Sequence, residues 1–363
     1  MTDPRYSGWN SVPEETPGWN PPGNGPAPES PSPYEYPAPA SSPGIIPFRP
    51  LAIGDLFEGA FKAFRKNPIV LLGMTAVLMS IVGVFTGINS YSALRTTESF
   101  SRFDPNSPMG GRAALEAILG PFTAMAGSSA LLSVLTFVVS ILLTGALSIA
   151  VADAVIGRAP GFREVLARTG PRILPLVGVS ILSGIVYSLV VIAAFVAGGA
   201  LVAALLIPAR NDSEPSPGAV VAVVLLVLLL ILIVFVAVVA IETKLVFAPI
   251  VCVLEELGPV ESLKRSWRLT KGVFWRTLGR ILLVGLVTGA VAGLVSGTAG
   301  GVAAASALSG TLAGVEAVAV GASTLLAGLI LPVTIAYEVL MYTDERIRRE
   351  GFAPMLAAAA RGT

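Results

Sequence analysis

From Leu51 onward the chain alternates long apolar runs with short charged segments. Six runs, roughly 69–90, 129–152, 173–207, 218–247, 276–298 and 318–342, have the ~20-residue length of a bilayer-crossing helix. Ile173–Ala209 is the longest uncharged run, and Gly218–Ile241 is almost wholly aliphatic. The segments between them follow a different period. Asp55–Lys66 sets Leu56, Phe57, Ala60, Phe61 and Phe64 on one side, flanked by Lys62, Arg65 and Lys66. Pro160–Thr169 is a shorter version, with Phe162, Val165 and Leu166 beside Arg163 and Arg168.

The third such segment, Pro259–Lys271, carries Val260, Leu263, Trp267 and Thr270 on one face. Lys264, Arg268 and Lys271 form a neighbouring stripe that Arg265 widens, and Glu261 stands before them in the favourable order for helix-surface pairs. Pro259 suits a first helical turn and Gly272 a C-terminal stop. A helix of this kind lies in a membrane interface, with Trp267 at headgroup depth and the basic stripe toward anionic lipid. Aligning Pro68, Pro171 and Val273 gives spacings of 103 and 102 residues, so the pattern reads as three units. The expected fold is all-α: six transmembrane helices in three hairpins, each preceded by a cytoplasmic interfacial amphipathic helix. Its segments are a disordered tail (1–48), a membrane domain (49–349) and a short cytoplasmic C-terminal tail (350–363).

Charge sets the expected orientation. If the N-terminus is cytoplasmic, 20 of the 24 Lys and Arg residues fall on the inner side, leaving only Arg95, Arg102, Arg112 and Arg210 outside. The positive-inside rule then puts both termini in the cytoplasm, here of a bacterial plasma membrane. A net charge of +1 gives no case for nucleic acid, and 54% hydrophobic residues with a mean hydropathy of +0.78 lie outside the soluble range. The first 50 residues hold 14 of the 28 prolines, too little apolar surface to offset ordering entropy. Their GWN repeats and YEYP stretch are expected either to be solvated or to anchor a protein partner.

The runs APIVCVLEELGPVESLKRSWRLTKGVFWRTLG, from Ala248, and RPLAIGDLFEGAFKAFRKNP, from Arg49, resemble the membrane domain named after glycerophosphoryl diester phosphodiesterase. The likeness is greatest to stand-alone actinobacterial members, covers roughly Arg49–Arg349, and implies a fold and topology but no reaction. The related enzymes add a catalytic barrel that needs histidines and a carboxylate-bound metal. This chain has no histidine, one cysteine (Cys252) and no phosphate-binding glycine loop, so neither enzymatic activity nor a cofactor or metal is expected of it alone.

Intramembrane ionisable residues mark ion or substrate paths. Asp153, Glu242, Lys244 and Glu338 lie near the inner ends of their spans, where they either neutralise charge at the rim or line a cytoplasmic cleft. Gly285, Gly289, Gly293, Gly297 and Gly301 recur at every fourth position, an arrangement expected to pack tightly against another helix, within the bundle or in a homo-oligomer. Gly310 and Gly314 add a further pair, and Pro332 a kink in span six. The leading expectation is a non-enzymatic scaffold engaging anionic lipid and a protein partner. Alternatives are a passive or facilitated path for lipid or small solute, and the membrane half of a phosphodiesterase supplied in trans.

Overall fold

The computed structural model describes residues 44–101, 111–206, 217–309 and 313–361. These are mostly helical, with no strand among them, and six helices are long and apolar enough to cross a membrane. Helix α1 (Ile53–Lys66) precedes α2 (Met74–Ser101) and α3 (Gly111–Val155); α4 (Phe162–Thr169) precedes α5 (Ile173–Leu206) and α6 (Pro217–Leu245). A short α7 (Ala248–Leu254) leads to α8 (Pro259–Thr270), then α9 (Phe274–Ser309), α10 (Ala313–Gly328), α11 (Leu331–Glu350) and α12 (Ala353–Arg361). The three amphipathic segments are therefore α1, α4 and α8, each ahead of two long helices. Proline at the first turn opens α8, and Gly272 turns the chain beyond it at φ +82°. The chain breaks between α10 and α11 just ahead of Pro332, whose missing N–H and ring cannot continue the helix.

Several boundaries differ from expectation. Ile45 and Ile46 are buried in the core, so packing begins ahead of residue 49; residues 1–43, with both GWN motifs and YEYP, lie outside the described residues. Much of the stretch between the first two expected spans, residues 91–128, is helix, because α2 runs to Ser101 and α3 starts at Gly111. The C-terminal tail is a docked helix, α12, which buries Leu356 and Ala360 behind Phe352.

The core sits at one end of the bundle. There α1 buries Leu56, Gly59, Ala60 and Ala63 against α11 and α3, and α7 is buried along nearly its whole length. Helix α3 is the central span, with 56% of its most apolar window buried; for α6, whose window has a mean hydropathy of 3.8, the share is 0%. An aliphatic surface left bare by the protein needs another apolar solvent, and a bilayer supplies it.

Charge closes this end. Asp344, fully buried on α11, accepts hydrogen bonds from the Leu51 backbone N–H (2.7 Å), Arg280 Nη1 (2.8 Å) and Arg348 Nε (2.9 Å). Arg280 and Arg348 also donate to the Leu51 carbonyl. Glu345 beside it takes Arg276 (2.7 Å). A second ring joins α7, α8 and α11: Arg265 Nε and Tyr342 OH donate to Glu255, Arg346 donates to Tyr342 OH and to Glu350, and Glu350 returns to Arg265.

Glycine packing occurs on other helices than the register suggests. A Cβ on Gly285, Gly289, Gly293, Gly297 or Gly301 would meet nothing within 4 Å, so the α9 stripe is open; Gly314 is open too, and Gly310 lies outside the described residues. The close approach is between α2 and α10. A Cβ on Gly83 would stand 2.6 Å from Gly321 O, and one on Gly87 2.8 Å from Ala317 O. These backbones touch because none of the contacting positions carries a bulky side chain.

Two outcomes follow. Gly83→Leu and Gly321→Leu should each lower thermal stability in detergent or prevent recovery of folded protein, whereas Gly289→Leu should melt like the wild type; equal melting of all three would contradict the α2–α10 contact. Asp344→Ala removes the acceptor for two arginines and a backbone N–H, and should cost about 3–5 kcal/mol in an unfolding measurement. A loss below about 1 kcal/mol would show that the cluster holds nothing together.

Candidate functional site

Helix α8 docks by an unusual face. Its buried residues are Ser262, Ser266, Leu269 and Thr270, while Val260 and Trp267 are about half exposed. Small hydroxyl side chains let α8 lie close to its neighbours: Pro259 packs on Gly178 of α5, and Ser266 Oγ donates to the Lys244 carbonyl of α6 (2.7 Å). Of the apolar pattern, Val260 and Trp267 thus point away from the protein, whereas Leu263 is half buried against the core and Thr270 is buried.

Beside that outward face lies a groove of 810 Å³ between α5, α6 and α8. Val186, Ile241, Leu245, Leu257 and Leu263 form its walls, and Glu261, Lys264, Trp267 and Arg268 its rim. Lys264 and Arg268 make no ion pair among the described residues, and the one rim carboxylate leaves a net positive edge. Lys244 stands behind Trp267. Its ammonium lies 5.5 Å from the Trp267 ring centre, 5.2 Å from that of Phe274 and 3.4 Å from the Thr270 carbonyl. Aromatic faces and a carbonyl stabilise a cation without cancelling its charge. Apolar walls below two unpaired cations and an indole form an amphiphilic receptor, suited to acyl chains with an anionic headgroup above them.

The other sequence-nominated cations divide into two sets. Arg265 is no part of the outward stripe; burial opposes its charge, yet Glu255 and Glu350 outweigh that and raise its pKa above the ordinary guanidinium value. The expected Glu261 partnership is replaced by Glu255, ten positions back in sequence, and by Glu350. Arg168 likewise turns inward to Asp153 (2.6 Å). Lys62 pairs with Glu58 on the surface of α1 (2.7 Å), and Lys66 is half buried, with desolvation lowering its pKa. Arg65 and Arg163 are exposed, each beside a large apolar residue left outward, Phe61 on α1 and Phe162 on α4; Lys271 is exposed past the end of α8.

The four intramembrane candidates do not form one cleft. Asp153 is buried and consumed by Arg168. Glu242 is exposed and Glu338 half buried, close enough for their charges to repel, and Lys244 is held by its aromatic neighbours. No cluster of acidic or Cys side chains among the described residues has metal-holding geometry. Sequence reasoning missed Ser262 and Ser266 as the docking face and Tyr342 as a ring member. For the serines, their four-residue spacing was the available signal.

Among known proteins, one family model matches, a domain of unknown function (DUF7847), over residues 51–344. Its limits coincide with Leu51 and Asp344, which meet in the charged cluster. No curated protein and no solved structure shows significant similarity.

Proposed function

This chain belongs to the DUF7847 family, and we propose that it acts without catalysis, as a multi-pass scaffold that binds anionic lipid in the α5–α6–α8 groove. In this reading it resides in the bacterial plasma membrane with its charged end in the cytoplasm, and its proline-rich tail meets a protein partner. The carrying observation is the division of the basic residues. Arg265 is locked between two carboxylates, while Lys264 and Arg268, one and three positions on either side, stand unpaired over apolar walls. Outward Phe61, Phe162 and Trp267 on the three amphipathic helices support placing that end at a membrane surface. The passive-path reading has less support, because the groove and the cleft between α2 and α10 share no lining residue.

Reconstitution in nanodiscs of mixed anionic and zwitterionic lipid, followed by quantitation of the retained lipid, tests this. Joint Lys264→Gln and Arg268→Gln substitution should reduce anionic preference roughly tenfold, since each charge contributes ~1 kcal/mol before screening. Arg265→Gln should instead lower thermal stability and leave the preference intact. An unchanged preference in the double variant would refute the proposal.

Orientation has its own check. Cys252 is fully buried, so an impermeant thiol reagent should report only on introduced cysteines. Thr123→Cys and Gly218→Cys should label from outside intact cells, and Lys264→Cys only after lysis. Labelling of the Lys264 site from outside would reverse the topology.

A further inference from the structure

On the charged end, away from the α8 groove, Arg49, Arg276 and Arg348 line a cavity of 540 Å³ with Phe48 and Ile347. Their inner edges are committed. Arg348 spends Nε on Asp344 and Nη2 on the Leu51 carbonyl, and Arg276 spends Nε and Nη2 on Glu345. The Nη1 group of each makes no hydrogen bond among the described residues. Both carboxylates are sealed beneath, Asp344 at 0% and Glu345 at 1% exposure, while Arg276 and Arg348 side chains are 38% and 29% exposed. Arg49 is 48% exposed; its Nη2 meets Asp55 at 3.3 Å and its Nη1 makes a long contact of 3.5 Å to the neighbouring Pro50 carbonyl.

An incoming ligand therefore meets guanidinium edges rather than the acids that neutralise them. The local charge is also unbalanced: Arg49, Arg276, Arg280, Arg348 and Arg349 share Asp55, Asp344 and Glu345, leaving two positive charges in excess. Ala353, the first residue of α12, lines the same cavity, so that helix presents its positive end there. Planar guanidinium forks and a helix N-terminus are the groups that bind phosphate. We propose that this cavity binds a phosphate dianion, either a soluble phosphate or diphosphate or the monoester headgroup of a lipid.

The test uses the full chain in zwitterionic nanodiscs. One arm titrates inorganic phosphate and pyrophosphate by calorimetry, with chloride at matched ionic strength as the reference. The other arm compares nanodiscs that contain phosphatidic acid, reading retained lipid. Saturable binding is expected in one arm, which identifies the source. Arg49→Gln should weaken it about tenfold or more, the loss of a charge-assisted hydrogen bond. Ala353→Glu should abolish it by placing a carboxylate in the cavity. Neither change touches the buried ion pairs, so both variants should melt near the wild-type temperature. In the calorimetric arm the Lys264→Gln, Arg268→Gln protein should bind as the wild type does, and the phosphatidic acid arm is read on that double-variant background so that lipid held at the α8 groove does not contribute. Absence of saturation in both arms, binding that survives Arg49→Gln and Ala353→Glu, or loss of calorimetric binding only in the Lys264, Arg268 variant would overturn the assignment.

Discussion

The fold depends on one carboxylate. Asp344 is removed from water completely, a state that an ion tolerates only when every lone pair is met. The groups that meet it come from the N-terminal lead into α1, from α9 and from α11 itself. Residues separated by nearly the whole membrane domain are thus brought to one point, and they must arrive together. Arg280 and Arg348 extend the grip by holding the Leu51 carbonyl. The family match begins and ends on this pair of residues.

Around that point the molecule separates into two materials. One end is packed as a soluble protein is, with buried side chains from α1, α3, α7, α11 and α12 and paired charges between them. Toward the other, α5, α6 and α9 are exposed along most of their length, and there the bilayer must serve as solvent. Helix–helix contact in that region rests on small residues where backbones meet, as at Gly83 and Gly321. The amphipathic helices occupy the junction: each buries one face in the packed end and leaves aromatic or aliphatic residues outward. The basic residues follow the same division, because a buried guanidinium must be paired whereas one at the junction can stay available to lipid phosphate.

Much of this was legible in the sequence. Apolar run length located the six spans, and proline and glycine positions marked α8 and the break near Pro332, because those signals are local. Partner choice is not local. Arg265 and Arg268 look equivalent in a helical stripe, and only the placement of Glu255 and Glu350 makes one structural and the other free. The α9 glycines pack against no other helix of the chain for a related reason: a four-residue register says which residues share a face, not whether anything lies against it. At the true contact both helices carry small residues at that spacing, Gly83 and Gly87 on α2 and Ala317 and Gly321 on α10. A match on two helices is the stronger signal. Helix α8 misled in the opposite sense, since its apolar face was visible but its docking face is mostly serine and threonine, with Leu269 among them.

On the proposal made above, the unpaired cations of α8 face anionic lipid while their neighbours hold the protein together. An experimental structure in nanodiscs that contain anionic lipid tests it most directly. The account predicts a lipid in the α5–α6–α8 groove, its acyl chains along Leu245 and Leu263 and its phosphate within hydrogen-bond reach of Lys264 and Arg268, with Arg265 still on Glu255 and Glu350. Lys264 and Arg268 paired to protein carboxylates, or a groove closed by another part of the chain, would contradict it.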